Sequence, residues 1–159
     1  MSCSGSVYQV LLVEDSEDDA FFFERVARRA GCKLQITHAP NGLAAVEILK
    51  AALNAPDAVP SVLPDIVFLD LKMPEFTGFE VLAWVQTQPG LADLKIVVLS
   101  GSEDATDIQR ATALGALACF TKPIQVDQMQ TVMQAFAVPD PLANPRPLAS
   151  NIGVPTPAE

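Results

Sequence analysis

Residues 66–70 read IVFLD, a run of four apolar residues followed by an acid, Asp70. A similar stretch, LLVED at residues 11–15, ends on two acids, Glu14 and Asp15. If these runs form parallel strands of one sheet, their carboxyl ends lie at one edge, where open α/β sheets form their active crevices. Three carboxylates held within a few ångströms repel one another unless a cation lies between them or one of them is neutral. The two stretches therefore predict an α/β fold with an acidic pocket at the edge of the sheet.

Two further stretches predict partners for these acids. CFTKP at residues 119–123 carries Lys122, whose ammonium group would offset the acids and could pair with a phosphoryl oxygen. VVLSGS at residues 97–102 carries Ser100, whose hydroxyl group can donate a hydrogen bond to the same oxygen. The peptide bond between Lys122 and Pro123 is a candidate for the cis form, although most X–Pro bonds are trans. Each residue alone has a simpler interpretation on the surface, but their order at four strand ends favours a common site.

Apolar runs alternate with helical patterns along the chain, which is typical of parallel βαβ units. Near-continuous apolar strands are expected when helices cover both faces of a sheet. Asn41 is a plausible cap for the second helix, and Gly31 lies where the first should end. The predicted strands cover residues 8–13, 34–37, 66–69, 96–99 and 118–121, and the predicted helices cover 18–30, 43–53, 78–86, 104–114 and 126–136.

The chain has 159 residues, of which 50% are hydrophobic, and this predicts one domain with a substantial core. We expect a flexible N-terminus at residues 1–6, the folded domain at 7–137 and a Pro-rich tail at 138–159. Residues 54–64 are also Pro-rich and predict an exposed, extended loop. No DNA-binding or catalytic output domain is predicted after the folded domain.

The net charge of −9 argues against a basic surface that binds nucleic acid or an anionic membrane. No apolar run reaches the ~18 residues of a membrane span, and the N-terminus lacks the pattern of a secretion signal. The three cysteines have no metal-ligand spacing. These features predict a cytoplasmic protein with three reduced cysteines.

The acidic residues suggest a specific chemistry. Paired acids at a strand end suit Mg²⁺, a hard cation that prefers oxygen ligands. Glu14 and Asp15 could instead be surface acids beside a helix N-terminus, where negative charge is stabilised. A carboxylate such as Asp70 can attack phosphorus and form an acyl phosphate, whereas the alternative is an aspartate that caps a helix or a turn.

With these residues in place, the chain resembles a receiver domain of a two-component response regulator, from about residue 7 to residue 136. The resemblance is carried by the motifs LLVEDSEDDA, DIVFLDLKMPEFTGFEVL, VVLSGS and TKP. It is similar to stand-alone receivers paired with bacteriophytochromes or other hybrid histidine kinases. The resemblance implies a flavodoxin-like (βα)5 fold, a doubly wound parallel sheet with strand order 2-1-3-4-5, an order that general fold rules give for such receivers.

The resemblance also implies a role for each site residue. Asp70 would be the phospho-acceptor, Ser100 the switch hydroxyl and Lys122 the lysine that pairs with the phosphoryl group. The implied ligands of Mg²⁺ are Glu14, Asp15, Asp70 and the backbone carbonyl of Lys72.

The implied function is that of a single-domain response regulator in phosphorelay signal transduction. A sensor histidine kinase would phosphorylate the aspartate, and the resulting phosphoprotein would change its binding to a downstream protein partner or its dimerisation. The alternative is a phosphorelay intermediate that passes the group to a downstream phosphotransfer protein. The protein would not be an enzyme, apart from its own self-dephosphorylation. A phosphatase of the haloacid dehalogenase type carries a second acid two residues after its nucleophile, where this chain has Lys72. A P-loop NTPase is excluded because the sequence has no GxxxxGK[ST] motif. A phosphorylation-independent scaffold would have no need of the repelling charges.

Three positions carry more specific expectations. The family usually has Tyr or Phe three residues before the pocket lysine, but Cys119 stands there, and alternation predicts that Phe120 points to the other face of its strand. Lys72 is expected to face the pocket mouth and slow the loss of the phosphoryl group. On the first helix, Phe22 and Phe23 are predicted to be core residues, whereas Phe21 is displaced outward and could dock a partner helix.

Overall fold

The computed structural model describes residues 7–55, 63–101 and 104–136. Five strands and five helices alternate along the chain, with a 3-10 turn at Pro89–Leu91. The strands are β1 (Val7–Val13), β2 (Lys33–Ala39), β3 (Ile66–Asp70), β4 (Ile96–Ser100) and β5 (Ala118–Thr121). The helices are α1 (Glu17–Arg29), α2 (Gly42–Leu53), α3 (Gly78–Gln86), α4 (Ala105–Ala113) and α5 (Val126–Phe136).

The strands form one parallel sheet in the order β2-β1-β3-β4-β5, as the resemblance implied. The register pairs Val13 with Leu69, and Asp70 with Leu99. The carboxyl ends of β1, β3 and β4 are thus aligned at one edge of the sheet.

Alternation along the strands divides the core between the two faces of the sheet. In β1, Val10 and Leu12 belong to the cluster covered by α1 and α5, whereas Leu11 and Val13 belong to the cluster covered by α2, α3 and α4. β3 and β4 are buried at every position, which explains their continuous apolar sequence. β2 lies at the edge of the sheet and is mostly exposed.

The helices begin and end at residues that satisfy their terminal backbone groups. Ser16 caps α1, Asn41 caps α2 as predicted, and Thr77 caps α3 in a reciprocal pair with Glu80. After α1, Gly31 has a φ of 77°, a conformation that favours glycine, which fits its predicted place at the helix end.

Two predictions on single residues are wrong. Phe22 is 44% exposed rather than a core residue, because α1 directs Ala20, Phe23 and Val26 toward the sheet. Cys32 is disulfide-bonded, whereas three reduced cysteines were expected, and Cys119 is a free thiol.

Residues 1–6 and 138–159, and most of the Pro-rich loop, lie outside the described residues, so the predictions for them stay predictions. None of the helices within the described ranges is long and apolar enough to cross a membrane.

Candidate phosphorylation site

The acids predicted from three strand ends lie together at the carboxyl edge of the sheet. One carboxylate oxygen from each of Glu14, Asp15 and Asp70 lies within 4.8 Å of the others. Glu14 and Asp70 are buried, whereas Asp15 is exposed. The N–H of Glu14 still bonds to the carbonyl of Ala39 beside β1, and the backbone then bends at Asp15. Both adjacent acids can therefore reach the same group.

Lys122 enters this cluster from the end of β5. Its Nζ donates to Oε1 of Glu14 at 3.0 Å and to Oδ2 of Asp70 at 3.3 Å. It also donates to Oδ2 of Asp19 at 3.0 Å. The peptide bond between Lys122 and Pro123 is cis, which confirms the prediction.

Both oxygens of the Asp70 carboxylate are held. Oδ2 accepts from Lys122, and Oδ1 accepts from the backbone N–H of Lys72 at 3.3 Å. The carboxylate is therefore oriented by two donors that approach from different parts of the chain.

Burial dominates the electrostatics of the acids. It raises the pKa of Glu14 to about 7, because the desolvation and the charge of Asp70 outweigh the bond from Lys122. Burial likewise raises the pKa of Asp70, although Lys122 opposes this. Burial disfavours the charged form of Lys122, yet its bonds to Asp19 and Glu14 raise the pKa of that amine above its usual value. The pocket thus holds a firmly cationic lysine and two acids that resist ionisation.

The donor set of the pocket fits a divalent hard cation. Three carboxylates offer oxygen ligands within 4.8 Å of one another, and Mg²⁺ binds through one or two carboxylates while keeping several waters. A bound cation would favour the charged forms of Glu14 and Asp70, against the burial that mainly raises their pKa values and the smaller repulsion between the acids. Glu14, Asp15 and Asp70 therefore suit a metal, and the carbonyl of Lys72 follows two residues after Asp70 in the same loop.

The side chain of Lys72, which is expected to face the pocket mouth, pairs with an acid of α4. Its Nζ lies 3.1 Å from Oδ2 of Asp107, in the first turn of α4. Oδ2 of Asp107 is buried and accepts no hydrogen bond from any described residue. The contact between Lys72 and Asp107 is therefore an ion pair without hydrogen-bond geometry. Lys72 thus links the loop after Asp70 to α4.

Ser100 ends β4 and is buried. It pairs with Thr121 across the sheet, and its carbonyl accepts from the N–H of Lys122 at 2.7 Å. Ser100 and Lys122 are thus neighbours on adjacent strands.

Cys119 and Phe120 lie on opposite faces of β5, as strand alternation predicts. Cys119 packs with the cluster under α2, α3 and α4, and Phe120 packs with the cluster under α1 and α5. Burial raises the pKa of the Cys119 thiol, while a bond with Thr112 opposes the shift.

Two contacts of the pocket were missed from the sequence. Asp19 was treated only as part of the first helix, yet it bonds to Lys122 across 103 residues of chain. The other is His38, which donates from Nε2 to the carbonyl of Glu14 at 2.7 Å. Neither contact has a sequence signal, because each depends on the rotation of one element against another.

A cavity of about 520 Å³ opens beside Lys122. Glu14, Asp18 and Asp19 line its polar side, and Phe22 and Phe23 line its apolar side. Phe21 lies outward on the same helix and is 60% exposed.

Comparison with known proteins agrees with this geometry. The family model for the response regulator receiver domain matches residues 10–134. The two-component response regulator ARR17 of Arabidopsis thaliana is 32% identical over 136 residues, which cover 81% of this chain and 86% of that protein.

Two solved structures are similar in fold and sequence. The bacteriophytochrome response regulator AtBRR is 28% identical with a TM-score of 0.68, covering 82% of this chain and 93% of that one. The Mn²⁺-bound form of response regulator Rcp1 is 27% identical with a TM-score of 0.65, covering 82% of this chain and 94% of that one. The match over most of the chain, together with the strand order and the acidic pocket, shows that this protein belongs to the response regulator receiver domain family.

Proposed function

We propose that Asp70 accepts a phosphoryl group from a sensor histidine kinase and that the phosphorylated protein signals by a changed affinity for a downstream protein. The observation that carries the proposal is the Asp70 carboxylate, which is buried, bonded to Lys122 at 3.3 Å and grouped with Glu14 and Asp15. Such a grouping of repelling acids has a cost that a nucleophilic and metal-binding role explains.

The residues of the pocket have separate tasks in the transfer. An oxygen of Asp70 attacks phosphorus, the new O–P bond forms, and the bond from phosphorus to the donor's imidazole nitrogen breaks, leaving its electron pair on that nitrogen. Lys122 offers an ammonium donor to a phosphoryl oxygen, and the hydroxyl of Ser100 offers a second one. Bound Mg²⁺, held by Glu14, Asp15, Asp70 and the carbonyl of Lys72, would neutralise charge on the phosphoryl oxygens.

The face beside the pocket supports approach by a helical partner. The cavity next to Lys122 has one apolar wall, made by Phe22 and Phe23, and the ring of Phe21 is exposed on the same helix. A kinase domain that presents its phosphohistidine on a helix could cover these rings while the imidazole reaches Asp70. A dimer formed after phosphorylation is a second way in which the signal could be passed on.

An independent phosphatase is less well supported. The second acid that such an enzyme uses two residues after its nucleophile is replaced by Lys72, whose ammonium pairs with Asp107. We therefore expect no turnover of a generic phosphate ester by the purified protein.

The test is to incubate the full chain with acetyl phosphate and Mg²⁺ and to measure its intact mass and that of its peptides. We expect one phosphoryl group on the peptide that contains Asp70, and none in Asp70→Asn, because the amide is not a nucleophile. Sedimentation of the same samples shows whether phosphorylation drives dimerisation. Label on another residue, or an equal mass gain in Asp70→Asn, would contradict the assignment.

A further inference from the structure

The ammonium group of Lys122 is shared among three carboxylates, and one of them differs from the others. An ammonium has three N–H donors and no acceptor, and Glu14, Asp19 and Asp70 provide one acceptor oxygen each. Glu14 and Asp70 are buried and belong to the group that could hold a metal ion. Asp19 is outside that group, and its side chain is 48% exposed.

The difference between Asp19 and the two buried acids has a consequence when a metal ion and a phosphoryl group are bound, which rests on the proposed function. Metal ligation and phosphoryl transfer both draw on the lone pairs of Glu14 and Asp70. A divalent ion held by these acids also repels the nearby ammonium. Asp19 is then the partner of Lys122 that takes part in neither event.

The first turn of α1 fixes Asp19 where this role requires it. Ser16 caps the helix, and its side-chain oxygen accepts from the backbone N–H of Asp19 at 3.2 Å. The backbone of Asp19 is thus held in place, and Oδ2 of its side chain lies 3.0 Å from Nζ of Lys122.

Without this contact, Lys122 would keep only its bonds to Glu14 and Asp70, the two acids that the metal and the phosphoryl group also use. Lys122 borders the 520 Å³ cavity, into which its flexible side chain could turn. A simpler interpretation is that Asp19 is an acid of the first helical turn, placed there by the helix dipole. Asp18 meets that description equally well, since it also lies in the first turn and lines the same cavity, but it is not among the carboxylates paired with Lys122.

We propose that Asp19 is a positioning residue, which holds the Lys122 ammonium toward Asp70 while the metal and the phosphoryl group occupy the pocket. Asp19 contacts neither the reacting atoms nor the metal in this role, and it acts through Lys122 alone.

The matched variants are Asp19→Asn and Asp18→Asn, which remove the same charge from adjacent residues of one helix. With saturating Mg²⁺, we expect acetyl phosphate to phosphorylate Asp19→Asn about two- to fivefold more slowly than Asp18→Asn, the range expected for loss of a half-exposed ion pair. Asp19→Glu should restore part of the rate. The Mg²⁺ concentration that gives half of the maximal rate should be the same in both asparagine variants, because neither residue is a ligand.

A second readout does not depend on phosphoryl transfer. Acetylation of the Lys122 amine by an N-hydroxysuccinimide ester, followed by peptide mass spectrometry with Mg²⁺ present, reports how freely the amine leaves the pocket. We expect faster acetylation of Lys122 in Asp19→Asn than in Asp18→Asn, and equal acetylation of the exposed Lys50 in both variants.

The outcomes separate this inference from the proposed function. If wild type takes up no phosphoryl group on Asp70, the proposed function fails, and the acetylation of Lys122 still tests the contact. If wild type is phosphorylated but both asparagine variants react alike in both measurements, Asp19 is only a surface acid. Faster phosphorylation of Asp19→Asn than of Asp18→Asn would also overturn the inference, because Asp19 would then be withholding the ammonium.

Discussion

At the scale of single residues, Lys72 has two possible anionic partners. Its ammonium pairs with Asp107 of α4. The Lys72 side chain is 60% exposed, so its charge stays largely solvated, and we expect the pair to contribute no more than about 1 kcal/mol although the Asp107 side chain is only 17% exposed. A phosphoryl dianion on Asp70 would be a more highly charged partner in the same loop. We therefore expect Lys72 to leave Asp107 for the phosphoryl group after transfer.

This exchange leads to a prediction on the lifetime of the phosphoryl group. Lys72→Asn should shorten the lifetime several-fold, because the long cation no longer pairs with the group or obstructs the attacking water. Loss of label from the phosphorylated protein after removal of the donor measures it. Asp107→Asn is the opposite control, since it frees the same ammonium and should lengthen the lifetime; equal lifetimes in wild type and Lys72→Asn would contradict the argument.

Residues of the site differ in how far the sequence could reveal them. Asp70, Glu14, Asp15 and Lys122 follow apolar runs of strand length, so the alignment of parallel strands was enough to bring them together. The partner that Lys72 takes could not be predicted, because Asp107 lies on another element and the contact depends on how α4 is placed over the loop.

At the scale of secondary structure, the start of α3 fixes the acceptor loop. The N–H of Gly78 donates to the carbonyl of Leu71 at 3.0 Å, and a side chain at this position would overlap the carbonyl oxygen of Asp70 and lie 2.8 Å from Cα of Leu71. These neighbours are backbone atoms and cannot move aside cheaply. Gly78 thus allows α3 to begin directly against the end of β3.

We predict that Gly78→Ala lowers the free energy of unfolding by about 1–3 kcal/mol, the usual cost of overpacking. Urea unfolding monitored by circular dichroism would measure this change. Gly101→Ala is the matched control, because a Cβ at that glycine meets no atom within 4 Å. A Gly78→Ala protein as stable as Gly101→Ala would show that the loop adapts without strain.

The bounds of a strand could be predicted well from the sequence where all of its residues are buried. β3 and β4 are buried throughout, and their predicted bounds differ from the observed ones by one residue. β2 extends over Lys33–Ala39 rather than 34–37, because an edge strand with exposed side chains lacks a clear hydrophobic pattern. The exposure of Phe22 was missed for a related reason, since three consecutive aromatic residues leave the rotation of a helix ambiguous.

At the scale of the whole molecule, the acidic pocket makes stability depend on pH. The pKa of Glu14 is about 7 in the folded protein, against an ordinary value of 4.5. Between these two values the folded state binds more protons than the unfolded state, so the free energy of unfolding falls as the pH rises. The raised pKa of Asp70 acts in the same direction.

We predict that, in buffer with a chelator, wild type loses stability as the pH rises from about 5 to about 7, and that Glu14→Gln loses distinctly less. Thermal unfolding at a series of pH values measures both slopes. Asp18→Asn serves as the control for a lost carboxylate elsewhere on the same side of the molecule, and it should keep the wild-type slope. Saturating Mg²⁺ should stabilise wild type most at the upper end of this pH range, because protons compete with the metal for the carboxylates at lower pH. A ligand that binds only the folded state adds about 2.7 kcal/mol to the free energy of unfolding when its concentration is a hundred times its Kd. Parallel slopes for wild type and Glu14→Gln would mean that the buried acids tolerate their charges without a cation.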